Sequence, residues 1–125
     1  MLKLNQKINS SRLSSYIADC MENKKAEDIR IIDLKKIKNS VTDYFVLATG
    51  NSNTHVDSIA DGIEADVYKK YKERPWKKEG KVNSEWVLID FVNVVAHVFD
   101  EEKRNLYNLE TLWGDGIIKD FKSKK

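Results

Sequence analysis

Several features that mark particular classes of protein are scarce or missing in this 125-residue sequence. Its one cysteine, Cys20, cannot form a disulfide within the chain, which favours a reducing compartment. The first nine residues hold no continuous apolar segment of the kind that forms the core of a secretory signal peptide. The longest apolar runs, 44–48 and 86–89, are far shorter than the roughly 20 residues that span a bilayer. We therefore expect a cytoplasmic protein that makes no membrane contact.

Basic and acidic residues are nearly equal in number over the whole chain, but they are distributed unevenly along it. Residues 1–26 hold five basic and two acidic side chains, residues 27–116 hold thirteen and seventeen, and residues 117–125 hold four and one. Proteins that grip nucleic acid through a folded surface usually present a basic face, because affinity depends on neutralising phosphates. The acidic body therefore indicates a basic protein partner. One local run, Lys69 to Lys81, has seven basic and two acidic residues, and is either a solvated helix end or a contact for RNA phosphates.

The spacing of apolar residues predicts both helices and strands. Helical spacing predicts helices over 10–21 and from about 53 to 71, the second with Val56, Ile59, Ala60, Ile63, Val67 and Tyr71 on one face. Alternation and β-branched residues predict strands over 28–34, 43–49, 76–78, 86–91 and 94–99. The segment 43–49 is apolar on both faces, which is typical of a central strand. Only Val92 and Asn93 separate the last two predicted strands, so these strands should form a tight antiparallel hairpin.

These elements predict a single α/β domain with a mixed sheet of about five strands flanked by helices. We divide the chain into an N-terminal helix within residues 1–25, an α/β domain over residues 26–116, and a basic C-terminal tail over residues 117–125. Short helical turns are expected over 100–105 and 107–113. The tail carries few apolar residues and is expected to lie outside the fold.

Residues that could carry chemistry are sparse. The turn Gly50-Asn51-Ser52 precedes a helix and could cradle a phosphate, but one glycine also suits a simple turn with helix caps. His55 and His97 have no companion ligand at metal-binding spacing, and Cys20 lies on the apolar stripe of the first helix. Nucleotidyl transfer needs clustered carboxylates to hold metal ions, whereas the strand ending at Asp90 offers a single acid. We expect neither catalysis nor a cofactor.

Three blocks of sequence resemble the RsfS/Iojap family of ribosomal silencing factors. They are TDYFVLATGNS at 42–52, WVLID followed by VAHVF at 86–99, and RNLYNLETLWGD at 104–115. The resemblance runs in order across residues 26–116. It implies a nucleotidyltransferase-like sheet without the catalytic carboxylates. It also implies a non-enzymatic protein that binds ribosomal protein L-fourteen on the large subunit and stops the small subunit from joining, and it makes a homodimer of the free protein plausible.

Strand alternation places Trp86, Leu88 and Asp90 on one sheet face, where an aromatic beside an acid suits a basic protein partner. Together with the resemblance, this predicts a partner-binding set made of Trp86, Asp90, Asn93, His97, Tyr107, Leu109, Glu110 and Trp113. Packing in the core is the alternative for four of them: Trp86, His97, Tyr107 and Trp113. The family usually has Gly-Asp where this chain has Val92-Asn93, and a basic residue where it has Thr54.

Two other functions remain open from the sequence. One is a nucleotide-binding or nucleotidyltransferase-like enzyme, which the lone acid at Asp90 disfavours. The other is an RNA-binding ribosome assembly factor, which the acidic body disfavours.

Overall fold

The structure is a computed structural model that describes residues 8–121. These residues form four helices and six strands, which run in chain order as α1 (Ser10–Asn23), β1 (Glu27–Asp33), β2 (Tyr44–Thr49), α2 (Asn53–Tyr71), β3 (Lys77–Glu79), β4 (Trp86–Asp90), β5 (Val94–Phe99), α3 (Glu101–Tyr107), α4 (Leu109–Leu112) and β6 (Ile117–Asp120). The predicted elements are present, and their ends differ from the prediction by a few residues. No helix among the described residues is long and apolar enough to cross a membrane.

The strands form one sheet in the order β3-β4-β5-β2-β1-β6. The central pair, β2 and β5, runs parallel, and the four pairings that flank it are antiparallel. The parallel pair requires a long connection, which α2 and the β4 strand provide. The predicted mixed sheet is therefore confirmed, with six strands rather than five.

The two central strands separate two clusters of apolar side chains. Every residue of β2 and of β5 is buried, as the two-sided apolar pattern of 43–49 predicts for the first of them. One cluster packs α1 and α2 against the sheet through residues such as Ile17, Met21, Ile59 and Ile63. The second, smaller cluster lies on the opposite face and joins Phe45, Leu47, Val95 and Phe99 to Leu109 of α4.

Helix α2 has the ends that its sequence predicts. The Ser52 hydroxyl accepts a hydrogen bond from the His55 N–H at 3.0 Å and so caps the first turn. Lys72 closes the helix in a left-handed conformation, and Lys69 and Lys70 stand in the last turn, where the helix dipole favours cations. Cys20 of α1 is 1% exposed and belongs to the core, and burial raises the pKa of its thiol to about 12.

The chain after Gly116 does not lie outside the fold, so the prediction for this segment is wrong as far as Phe121. Residues 117–120 form β6, which pairs antiparallel with β1, and Arg30 Nε donates to Asp120 Oδ1 at 2.8 Å. Phe121 packs against the larger apolar cluster. Strand β6 was not predicted because a four-residue edge strand that is exposed at every position shows no alternation of burial. Residues 122–125 lie outside the described residues.

We predict that a chain ending at Asp115 is less stable than a chain ending at Phe121 by about 2 kcal/mol or more, because it loses the β1–β6 hydrogen bonds and the packing of Phe121. Urea unfolding followed by circular dichroism measures the difference. Equal unfolding midpoints and slopes for the two chains would show that β6 adds nothing to the fold.

The β4–β5 turn is tight and strained at Val92. Val92 has a φ of 80°, a region that suits glycine and disfavours a β-branched residue. The Asn93 N–H donates to the Phe91 carbonyl at 3.0 Å, and Asp90 Oδ1 accepts from the Val92 N–H at 2.7 Å, which holds the turn closed. A glycine at this position would adopt the same φ without that strain.

We predict that Val92→Gly raises the free energy of unfolding by about 1 kcal/mol, because relief of the strained φ outweighs the extra entropy of an unfolded glycine. Asn93→Gly is the matched control, since Asn93 does not have a positive φ and should gain nothing. Thermal unfolding of both variants compares them, and a destabilised Val92→Gly variant would contradict the account of strain.

Candidate functional site

The sheet face that carries α3 and α4 presents a cluster of aromatic rings. The Trp86 ring packs on the rings of Phe99, Tyr107 and His97, with centroids 5.4, 4.6 and 5.9 Å away. Trp86 is half-buried on β4 and Tyr107 is 48% exposed at the end of α3. The strand alternation that predicted Trp86, Leu88 and Asp90 on one face is confirmed, because Val87 and Ile89 are buried on the other.

His97 fixes the orientation of Trp86. The Trp86 Nε1–H donates to His97 Nδ1 at 3.1 Å, which requires a neutral imidazole with its proton on Nε2. His97 is 3% exposed, and burial lowers the pKa of its imidazole to about 3. Among the described residues, Nε2 has no hydrogen-bond partner. His97 thus lies beneath the surface and supports the tryptophan.

Glu110 and Leu109 hold α4 against the sheet. Glu110 Oε2 accepts from Arg104 Nη2 at 2.8 Å and from Arg30 Nη1 at 3.2 Å. Burial acts to raise the pKa of Glu110, but the hydrogen bond and charge of Arg104 outweigh it and leave the pKa below its ordinary value. Leu109 is 7% exposed in the smaller apolar cluster. Both residues from the predicted set therefore make internal contacts in the free chain.

Trp113 extends the aromatic cluster on the other side of His97. Its ring meets the Phe45 ring edge-on at 5.6 Å, and Phe45 meets His97 at 4.6 Å. Trp113 remains half-buried, so one part of its ring packs and the rest meets solvent.

Asp90 and Asn93 lie at the far end of the hairpin. Four residues of extended strand, about 13 Å, separate Asp90 from Trp86. The half-buried Leu88 lies between them on the same face. Asn93 is exposed, and its carbonyl accepts from the N–H groups of Asp43 and Tyr44 at 3.0 and 3.3 Å. The structure therefore brings six of the eight predicted residues together and places these two at a distance.

A cleft of 340 Å³ opens beside the aromatic cluster, between the β3–β4 loop and α3. Its lining consists of Gly80, Val82, Asn83, Glu85, Trp86, Lys103 and Tyr107. Val82 is 98% exposed, and Leu106 of α3 is 65% exposed. Sequence analysis missed both residues: Val82 stands alone in a loop, and the helical spacing around Leu106 gives no sign of which side chains the sheet covers.

Charged side chains lie in this cleft and along the helix beside it. Glu101 and Glu102 are exposed in the first turn of α3, and Glu85 lies in the cleft with Lys103 Nζ 3.6 Å from its Oε1. An exposed pair at that distance adds little stability, so a partner can compete for Glu85 at little cost. The lining of the cleft therefore has two aromatic rings and one weakly paired acid.

The turn at Gly50 is occupied by internal hydrogen bonds. The Asn51 N–H donates to His55 Nδ1 at 2.9 Å, and the Ser52 hydroxyl caps α2. A Cβ at Gly50 would lie 2.8 Å from a methyl carbon of Val56, so the glycine permits close packing of turn and helix. Of the two interpretations of this turn, the geometry supports the helix cap. Within residues 8–121 there is no group of three or more His, Cys, Asp or Glu side chains that could hold a metal ion.

Comparison with known proteins identifies the family. The family described as "Ribosomal silencing factor during starvation", RsfS, matches residues 7–125. The chain belongs to the RsfS family. Ribosomal silencing factor RsfS of Bacillus subtilis is 38% identical over 113 residues, which cover 90% of this chain and 94% of that protein. The resemblance of the three sequence blocks to this family is thereby confirmed.

Solved structures and more distant relatives agree. A crystal structure of a protein from Chromobacterium violaceum superposes with a TM-score of 0.81 at 30% identity, covering 86% of this chain and 88% of the other. A mouse protein, mitochondrial assembly of ribosomal large subunit protein 1, is 33% identical over 100 residues, which cover 78% of this chain and 43% of that protein. The region similar to this chain is thus less than half of the mouse protein.

We predict that His97 makes the stability of the fold depend on pH between about 5 and 7. The unfolded imidazole gains a proton below its ordinary pKa of 6.5, whereas the folded one resists protonation down to about 3, so stability is full above 6.5 and is lost as the pH falls. From pH 7 to pH 5 the loss should be about 2 kcal/mol.

His97→Asn, whose amide oxygen can replace the Nδ1 acceptor, should lack this loss. Urea unfolding of both proteins at pH 7 and pH 5 measures it. The same pH dependence in wild type and variant would assign the titration to another group.

Proposed function

We propose that this chain is a ribosomal silencing factor that binds protein L-fourteen of the large ribosomal subunit and thereby blocks association with the small subunit, which represses translation. The observation that carries the proposal is the cleft at Trp86 and Tyr107, which is lined by aromatic rings. Membership of the RsfS family supports the ribosomal target, and the name of the mouse relative connects a member of this fold with the large subunit.

The aromatic residues of the cleft suit a protein partner. Tryptophan and tyrosine dominate the energetics of protein interfaces because they bury much apolar area and lose few rotamers. Trp86 has one orientation set by His97 and three ring neighbours, so little further order is needed on binding. Within the predicted set, we assign direct contact to Trp86, Tyr107 and Trp113, and support of these residues to His97, Leu109 and Glu110. Asp90 and Asn93 lie apart from this surface, at the hairpin end.

The charges around the cleft indicate the character of that partner. Glu85 lies in the cleft, and the exposed Glu101 and Glu102 stand in the first turn of α3, the helix that also carries Tyr107. Ribosomal proteins bind RNA and are rich in Lys and Arg, so long-range attraction speeds the encounter and orients the two surfaces. Aromatic contacts then determine how long the complex lasts.

The proposed mechanism is steric exclusion. A folded α/β domain seated on the intersubunit face occupies space that the small subunit needs. No bond is made or broken, and the effect lasts only while the factor stays bound.

We predict that Tyr107→Ala weakens binding to isolated L-fourteen by about thirtyfold, as expected when an interface aromatic worth about 2 kcal/mol is removed. Tyr107 is 48% exposed, so the variant should keep its fold. Titration by calorimetry measures the affinity. Ile117→Ala, which truncates a 50% exposed side chain on β6, should bind like wild type.

Sucrose-gradient sedimentation tests the function itself. Wild-type protein added to separated subunits should travel with large subunits and reduce the joined ribosomes, and Tyr107→Ala should do so only at higher concentration. If the wild type left subunit joining unchanged, the proposed function would be wrong. If Tyr107→Ala were as potent as wild type, the cleft would not be the binding site.

A further inference from the structure

A second cleft, of 310 Å³, opens at the hairpin end of the sheet, where Asp90 rather than Trp86 lies. Val41, Thr42, Trp76, Asp90, Val92 and Val95 line it. The Trp76 side chain is 70% exposed, while its N–H donates to the Asp90 carbonyl at 2.7 Å, so its backbone is fixed beside β4. The cleft is therefore a mainly apolar slot with a large ring at one wall.

Two polar groups line this slot without full use of their hydrogen-bonding capacity. Thr42 is 7% exposed, and its hydroxyl oxygen has no hydrogen-bond partner within residues 8–121. A buried hydroxyl without a partner costs free energy, so a ligand that pairs with it gains affinity. Asp90 uses one carboxylate oxygen for the Val92 N–H and forms no ion pair with any described residue. The slot thus offers a donor and an acceptor beside apolar walls.

Basic residues are frequent along the chain from the last turn of α2 to Trp76, which lines the cleft. The later cations of the 69–81 run are neutralised by neighbours: Lys77 pairs with Glu79, Lys78 with Glu64, and Lys81 with Asp57 and Asp61. The four earlier cations of this run form no ion pair in the described part of the chain. They are Lys69, Lys70, Lys72 and Arg74, and we call them the basic strip.

The basic strip also carries aromatic rings. The Arg74 guanidinium lies 4.1 Å from the centre of the Tyr68 ring, and Lys72 Nζ lies 5.3 Å from the same ring. Lys77 Nζ is 5.4 Å from the centre of the Trp76 ring. Alternating cations and exposed rings are the pattern by which proteins hold single-stranded nucleic acid, because rings stack with bases and cations meet phosphates.

We propose that the hairpin-end cleft binds one unpaired nucleobase of RNA, stacked on Trp76, while the basic strip holds the neighbouring phosphates. Val92 and Val95 would cover the other side of the base, and Thr42 and Asp90 would hydrogen-bond to its edge. A uracil or guanine fits this pair of groups, since each offers a ring N–H to Asp90 and a carbonyl oxygen to Thr42. The inference rests on the proposed function, which brings the chain to ribosomal RNA, and it narrows the RNA contact of the 69–81 run to specific residues.

The test measures binding of the full chain to a fluorescein-labelled oligouridine of roughly ten nucleotides by anisotropy, at several salt concentrations. Trp76→Ala should bind about tenfold more weakly with an unchanged salt slope, and Trp76→Phe should recover most of the affinity because it keeps a stacking ring. Arg74→Gln should lower the slope of log affinity against log salt by about 0.7, the value for one phosphate of a single strand. Lys119→Gln, at the opposite edge of the sheet, is the charge-matched control and should bind like wild type.

Several outcomes would overturn the inference. They are the absence of oligouridine binding by wild type, equal affinity of Trp76→Ala and wild type, and equal affinity of wild type for duplex RNA of the same length. Each variant is also titrated against isolated L-fourteen, which contains no RNA. If Trp76→Ala lost affinity for that protein instead, the cleft would be a protein-binding site. Failure of the proposed function is seen separately, in the Tyr107→Ala titration and the sedimentation of wild type.

Discussion

One buried guanidinium joins the C-terminal helices to the sheet. Arg104, 7% exposed, donates to the Asp28 carbonyl at 2.6 Å, to the Thr49 hydroxyl at 2.8 Å and to Glu110 at 2.8 Å. Asp28 stands in a bulge of β1 with a φ of 49°, a conformation that sets the direction of its carbonyl. Removing one partner of a buried ion pair leaves the other charge uncompensated, which costs about 3–5 kcal/mol. The position of α3 and α4, and with them Tyr107, Leu109 and Trp113, depends on this residue.

The aromatic cluster gives the surface beside α3 and α4 a defined shape. Consecutive rings are in contact from Trp113 through Phe45, His97 and Trp86 to Tyr107. A ring that moved would therefore displace its neighbour. The neutral His97 is the central member because it alone supplies an acceptor for the indole N–H. The imidazole stays uncharged because burial makes its protonation costly. A surface built this way is rigid before any partner arrives.

The fold could be predicted from the sequence wherever apolar periodicity and burial coincide. Helix α2 and the strands around Leu47 and Val98 are of this kind, since a slip of one residue would expose an entire face. The segment Ile117–Asp120 could not be, because an exposed edge strand is held by backbone hydrogen bonds that leave no trace in residue type. Val92 is a related case: the sequence showed an unusual turn, but not that Val92, rather than Asn93, takes the positive φ.

The candidate site could be predicted only in part. Trp86, Asp90 and Tyr107 stood out by residue type and alternation, and the structure places their side chains at least partly at the surface. His97, Leu109 and Glu110 were named with them, but their burial depends on contacts between segments far apart in the chain, such as Arg30 with Glu110. Periodicity within one segment carries no information about such contacts. Val82 and Trp76 were given no role in the predicted set for the same reason.

The pairing of β6 with β1 also has a consequence for the order in which the chain can fold during its synthesis. Strand β1 is made well before β6, so its outer edge finds its partner only when residues 117–120 have left the ribosome. Until then the N–H and C=O groups along that edge remain unpaired, and unpaired edges invite contact with other chains. Completion of the sheet therefore waits until this segment has emerged.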